Sequence, residues 1–129
     1  MKRAYLAISY SDRSKFDSVI NQLKTYFHSI NVELLVFVDE YNFEPNQEKE
    51  MMETAFREID KSDLLIAELS HKSIGAGIEI GYAFSKGKQI YYLRKKGAEY
   101  SFTAAGCSDF IIEYENEFQL IEKLEKLFS

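Results

Sequence analysis

The residues from Ser73 to Ala83 read SIGAGIEIGYA, a stretch with three glycines and one acid, Glu79, among apolar residues. Two readings of that acid are open. In the first turn of a helix a carboxylate is stabilised by the helix dipole, by up to ~1 kcal/mol. Alternatively, it serves a bound molecule. Its neighbours do not form a plainly solvated face, and Gly75 and Gly77 remove side chains just before it, so a ligand can approach the backbone. Gly81 is expected to let the helix pack closely on a sheet. The glycines do not make a nucleotide-phosphate loop: a lone GxG is weak, and Gly87-Lys88 ends the segment rather than opening it. Other chemistry is sparse. Cys107 is the single cysteine, so neither an internal disulfide nor a CxxC site is available. His28 and His71 are the only histidines, and no metal site or other cofactor is expected. Nothing in the sequence joins Cys107 to His71, and Cys107 reads as a small core residue.

The elements around this stretch alternate. Apolar runs at 4–9, 32–38, 63–69, 89–93 and 109–114 read as buried strands. Between them, Phe16, Val19, Ile20, Leu23 and Phe27 mark one helix face, starting from Ser14. Met52, Ala55, Phe56 and Ile59 mark a second, in a segment with Pro45 near its start. SIGAGIEIGYAFSKG opens a third helix, closed by Gly87. Residues 94–108 read as a loop with a short helix, and RKK at 94–96 as solvated. Phe118, Ile121, Leu124 and Phe128 mark the last helix.

Alternation with continuous apolar strands predicts an α/β fold, a five-stranded parallel sheet covered by helices on both faces. The expected order is the flavodoxin-like 2-1-3-4-5, in one domain spanning 1–129. Ligands bind such sheets at the carboxyl ends of the strands, where the order reverses. Here that point lies between strands 1 and 3, flanked by the loop SYSDR and the loop SHKSIGAG. Glu79 falls beside it.

Composition narrows the partners. Hydrophobic residues make up 46% and charged residues 29%, a globular balance. The net charge of −5 argues against a nucleic acid polymer, which needs a basic face. A small phosphorylated ligand remains open. No apolar run approaches a membrane span, and MKRAYLAISYSDR lacks a signal-peptide core. The cytoplasm is the expected compartment. Nine Tyr and ten Phe leave some aromatics free to line a pocket for a flat ring.

The segment SDLLIAELSHKSIGAGIEIGYAFSKGKQIYYL resembles the core motif of the nucleoside 2-deoxyribosyltransferase superfamily, through Asp63, Gly75, Glu79, Gly81, Ala83, Gly87 and Lys88. The first strand, AYLAIS, is similar too, with Tyr5 where the family carries a tyrosine. Ser73, six residues before Glu79, and Ser101 in YSFTAAG make the pattern resemble the 2'-deoxynucleoside 5'-phosphate N-hydrolase branch. The resemblance implies that Glu79 is a nucleophile that attacks the anomeric carbon and displaces the base. That fits a carboxylate nucleophile of retaining type, kept ionised by a helix N-terminus. Tyr5 would hydrogen-bond that carboxylate or the sugar; otherwise it is a core aromatic. Ser73 and Ser101 would bind a 5'-phosphate, with amides of the Gly-rich turn. Ser101 would arrive from a neighbouring subunit, which implies a homodimer or higher homo-oligomer. Ser9, Ser11 and Arg13 are further phosphate candidates, although Ser11 and Ser14 also suit helix caps and Arg13 a solvated charge.

One departure stands out. The family usually carries an Asp eight residues before the position of Asp63, and here that residue is Ala55. Asp39, Glu40 and Glu44, in the loop after strand 2, are the candidate substitutes. Two other functions stay in view. AISYSDRSKFDSVINQL resembles the opening of a TIR domain, some of which cleave NAD, and the missing Asp suits a non-catalytic nucleotide-binding module.

Overall fold

The computed structural model describes residues 1–129. Five parallel strands, β1 (Lys2–Ile8), β2 (Val32–Val36), β3 (Leu64–Glu68), β4 (Gln89–Lys95) and β5 (Phe110–Tyr114), form one sheet in the order β2-β1-β3-β4-β5. The helices are α1 (Asp17–Ser29), α2 (Phe37–Glu40), α3 (Glu48–Asp60), α4 (Ile74–Ser85), α5 (Phe102–Gly106) and α6 (Glu117–Phe128). The predicted architecture and strand order are those observed.

Both faces of the sheet are covered. In β1, Ala4, Leu6 and Ile8 enter one core with α1 and α6, while Tyr5 and Ala7 enter the other with α3 and α4. This is the two-residue period of a strand, and the reason that a central strand is apolar throughout. Tyr5 pairs in register with Leu65 and Ala7 with Ala67. Tyr5 therefore points from the middle of the sheet toward α4.

Several boundaries differ from the sequence reading. The chain leaves the sheet after Val36 and turns into the short α2, because Phe37 folds down onto Tyr5, 5.9 Å between ring centroids. The first helix begins as a 3-10 segment, Tyr10–Phe16, and becomes α1 only at Asp17. Neither Ser11 nor Ser14 caps it: Phe16 occupies the α1 N-cap position, and the Ser11 hydroxyl meets Ser9 Oγ at 3.0 Å. Gly81 does not face the sheet. Ala76, Ile80 and Ala83 form the buried face of α4, and the two alanines let the helix lie close to Ala7 and Ala67. A Cβ on Gly81 would meet nothing within 4 Å. Gly87 does close α4, at φ +72°, where a side chain would be strained.

Buried polar groups brace the carboxyl ends of the strands. Glu68, the last residue of β3, accepts hydrogen bonds from the Tyr114 hydroxyl and from the Ser70 amide, the latter at 2.6 Å. Ser70 Oγ in turn accepts from the Lys95 amide at 2.9 Å. Burial pushes the Glu68 carboxyl above its usual range, which marks how dry this corner is. The network fixes the start of the loop that leads to Ser73. Replacing Tyr114 by Phe removes one of its donors and leaves a buried oxygen unpaired. The expected loss is about 1–3 kcal/mol, seen as a lower urea midpoint at unchanged m-value.

Candidate active site

The reversal point between β1 and β3 holds a cleft of about 230 Å³. Ile8 and Ser9 line it from the end of β1, Tyr10 from the 3-10 segment, and Phe37 and Val38 from α2. Met51, Met52 and Ala55 form the α3 wall, and Ser73, Gly75, Ala76 and Glu79 the α4 wall. A larger depression, about 770 Å³, runs along β2 near Arg3, His28, Glu33 and Glu58. It starts at the amino ends of the strands, the opposite end from ligand sites in such sheets. Arg3 there is already paired with Glu33 and Glu58.

Glu79 is the sixth residue of α4, in its second turn and not its first. The helix N-terminus therefore does not set its charge. The Tyr5 hydroxyl donates to Oε2, and Oε1 accepts no hydrogen bond from the chain. Burial raises the Glu79 carboxyl to about 7, against the lowering effect of the Tyr5 hydrogen bond. No cation offsets this burial. The same carboxylate, with burial as the larger cause, pushes the Tyr5 phenol far above its normal range, so Tyr5 stays a donor. The pair presents a basic carboxylate oxygen, anchored through its twin, at the edge of a cleft lined largely by apolar side chains. Such a group can attack an electrophilic carbon or accept a proton.

The remaining candidates divide. Ser73 caps α4, its Oγ accepting from the Ala76 amide at 3.1 Å, and it lines the cleft with Ser9 and Gly75. Gly75 has open space where a Cβ would stand. Gly77 and Ser101 lie instead in a second groove, of about 370 Å³, between α4 and α5. Ser73 lines both grooves. Ser101 caps α5 by accepting from the Ala104 amide at 3.2 Å. Ser11 does not line the cleft. Arg13 is held by Asp39 through two bonds of 2.8 Å and by Asp17 at 2.5 Å.

The same ion pair removes Asp39 as a substitute acid, since Arg13 holds its carboxyl below the usual range. Glu40 and Glu44 are exposed, and neither lines the cleft. Ala55 does line it, buried on α3 in the wall shared with Met51 and Met52. The two methionines and Phe37 escaped the sequence reading. They read as ordinary core positions, and only the α2 turn shows that a cleft opens beside them. Cys107 lies partly buried in the second groove. His71 pairs with buried Asp12, Nδ1 to Oδ2 at 3.0 Å, tying the β3–α4 loop to the 3-10 segment. No three His, Cys, Asp or Glu side chains converge well enough to hold a metal ion. No helix is long and apolar enough to cross a membrane.

Comparison with known proteins places this arrangement. The pattern of the nucleoside 2-deoxyribosyltransferase family matches residues 4–121. The chain belongs to that family. The match takes in AISYSDRSKFDSVINQL, the segment that resembles a TIR opening. A putative 2'-deoxynucleoside 5'-phosphate N-hydrolase 1 of Thermofilum pendens is 31% identical over 84 residues, 61% of this chain and 59% of that protein. The matched region thus spans less than two thirds of that relative. The structure of Clostridium botulinum CMP N-glycosidase superposes with a TM-score of 0.73 at 27% identity, over 98% of this chain and 99% of the other. The 2-deoxyribosyltransferase of Bacillus psychrosaccharolyticus gives a TM-score of 0.70 at 12% identity, over 92% and 90%, and shares the fold.

The raised Glu79 carboxyl has a consequence for stability. Its pKa in the folded chain lies above the unfolded value, so the folded state binds the proton more tightly. The stability linked to this proton is present at low pH and is lost as pH rises from about 4.5 toward 7. Glu79→Gln is neutral at every pH. Its melting temperature relative to the parent is expected to rise between pH 5 and pH 8, measured by scanning calorimetry.

Proposed function

We propose that this protein cleaves the N-glycosidic bond of a nucleoside or 2'-deoxynucleoside, or its 5'-monophosphate, through a covalent glycosyl–Glu79 intermediate. The observation that carries the reading is the Tyr5–Glu79 pair. One carboxylate oxygen is anchored, the other accepts no hydrogen bond from the chain, and the residue lines the cleft at the sheet's reversal point. Glu79 Oε1 attacks the anomeric carbon as the bond to the base nitrogen breaks, and Tyr5 holds the carboxylate in line. Water then releases the sugar, or a second base accepts it. Family membership and the names of its relatives support bond cleavage of this kind.

The phosphate end of the substrate falls to Ser73, Ser9 and the amide of Gly75. Arg13 and Lys72 are committed to ion pairs, Arg13 with Asp39 and Asp17, Lys72 with Glu99 at 2.9 Å. Recognition therefore rests on neutral donors. A purified sample given each nucleoside monophosphate is expected to release free base. Glu79→Gln lowers that rate by at least about 10³-fold. Tyr5→Phe removes the bond that lowers the Glu79 pKa, so the acid limb of its pH–rate profile moves to higher pH. Base release untouched by Glu79→Gln would overturn the nucleophile. A melting temperature raised by nucleotide without base release would favour a binding module.

The site is completed, on this reading, by a second copy of the chain. Ile74, Ile78, Phe84 and Phe102 are exposed. Gly77 and Gly81, four residues apart, give α4 a low profile between them. A second helix can approach closely there and bring Ser101 toward the partner's Ser73. Sedimentation is expected to give twice the chain mass of 15.0 kDa. Ile78→Asp, a charge placed in that interface, is expected to give monomers with weakened phosphate binding.

A further inference from the structure

Enzymes that cleave glycosidic bonds through a carboxylate nucleophile ordinarily pair it with a second carboxyl that protonates the leaving atom. In this cleft Glu79 is the only carboxyl group. The wall that faces it across the cleft is Met51, Met52 and Ala55 of α3, continued by Val38 and Phe37. None of these side chains carries a transferable proton. The nearest acids on the β2–α3 connection are elsewhere: Asp39 in its bidentate pair with Arg13, and Glu40 and Glu44 outside the cleft.

We propose that the base leaves this cleft without a proton from an enzyme carboxyl, because the α3 wall of Met51, Met52 and Ala55 supplies none. The inference rests on the N-glycosidase reading and narrows its substrate class. The preferred substrates carry bases whose glycosidic nitrogen bears negative charge well: electron-poor rings with carbonyl groups conjugated to that nitrogen. In the first step Glu79 Oε1 forms a bond to the anomeric carbon. The electron pair of the carbon–nitrogen bond leaves on the base, which takes a proton from solvent water. In the second step water attacks the anomeric carbon, the ester bond to Glu79 breaks, and the water's proton passes to solvent. The apolar wall packs against the ring but does not stabilise its charge, so the chemistry of the ring itself decides the rate.

A series of similar size tests this. The 5'-monophosphates of 5-fluorouracil, uracil and cytosine deoxyribosides, and the matching ribosides, differ in how readily the base departs as an anion. In whichever sugar series reacts, kcat/KM is expected to fall in that order, by roughly 100-fold from first to last, the size of a typical missing general acid. With the cytosine substrate the pH–rate profile is expected to rise with Glu79 ionisation and stay flat to pH 9. Of the groups around Glu79, only Tyr5 from β1 bonds to it. Glu58 of α3 acts on the Tyr5 phenol from outside the cleft, where Arg3 and Lys61 pair with it, and the 3-10 segment lines the cleft only through Tyr10. Ala55→Asp is expected to flatten the series and add a falling alkaline limb; Met51→Asp, one turn away on the same wall, replaces it if the first does not fold. A spread under about threefold, or a falling limb in the parent protein, would show a general acid at work and overturn the inference. No release even from the 5-fluorouracil substrates would instead overturn the N-glycosidase reading on which it rests.

Discussion

The contact between the Tyr5 hydroxyl and the Glu79 carboxylate constrains everything around it. A carboxylate removed from water without a cation is costly, and one hydrogen bond only partly offsets that cost. The contact therefore has to be held by the rest of the fold. Tyr5 must sit on a central strand, facing the α4 side of the sheet. Helix α4 must lie close enough for a side chain in its second turn to reach the strand. The small residues Ala7, Ala67, Ala76 and Ala83 make that approach possible, and Ile80 locks it. The outcome is a carboxylate whose basicity comes from burial rather than from neighbouring charge.

The loops at the reversal point are held by a separate set of polar ties. Glu68 bonds to Tyr114 and Ser70, Asp12 to His71, and Arg13 to Asp39 and Asp17. Glu68–Tyr114, Asp12–His71 and Arg13–Asp39 each join two segments that meet at the carboxyl ends of the strands, while Glu68–Ser70 and Arg13–Asp17 are local. Together they use up the charges nearest the cleft. On the proposed reading, that is how a chain of net charge −5 would accommodate a phosphorylated substrate. The anion would meet hydroxyls and amides, while the acids of the same loops are neutralised by partners or directed to solvent. It also leaves the interior of the cleft without a proton donor of carboxyl type.

The sheet order was legible because five apolar runs alternate with helical stripes, and only a parallel sheet buries such runs on both faces. Glu79 stood out as a candidate in the sequence because an acid among glycines and isoleucines is not on a plainly solvated face, although the helix dipole offered a bland reading as well. What the sequence hid depends on geometry between elements. The position of Glu79 in the second turn of α4 follows from where Ser73 caps the helix, and an assumed start a few residues later changes the electrostatic argument entirely. Gly81 looked like a packing residue because a glycine in a helix suggests close approach, yet the phase of Ala76, Ile80 and Ala83 turns it outward. Arg13 looked free for phosphate, but its partner Asp39 is 26 residues away and reaches it only through the α2 turn. That turn, where a strand was expected to continue, also turns Phe37 and Val38 toward the cleft.

Helix α4 shows why one short segment carries so much of this. Its twelve residues hold almost no long polar side chains, and Glu79 is the sole acid. At about 100° per residue the helix presents three distinct sectors. Ala76, Ile80 and Ala83 seat it on the sheet. Gly75 and Glu79 line the cleft. Gly77 and Gly81, with Ile74 and Ile78 beside them, form a low apolar surface on the far side. A larger residue in the first sector would lift Glu79 away from Tyr5, and one at Gly75 would fill the cleft mouth. The seat on the sheet, the cleft wall and the exposed apolar strip are thus set by side chains interleaved within three turns. A change on one sector is felt on the next through the position of the helix axis.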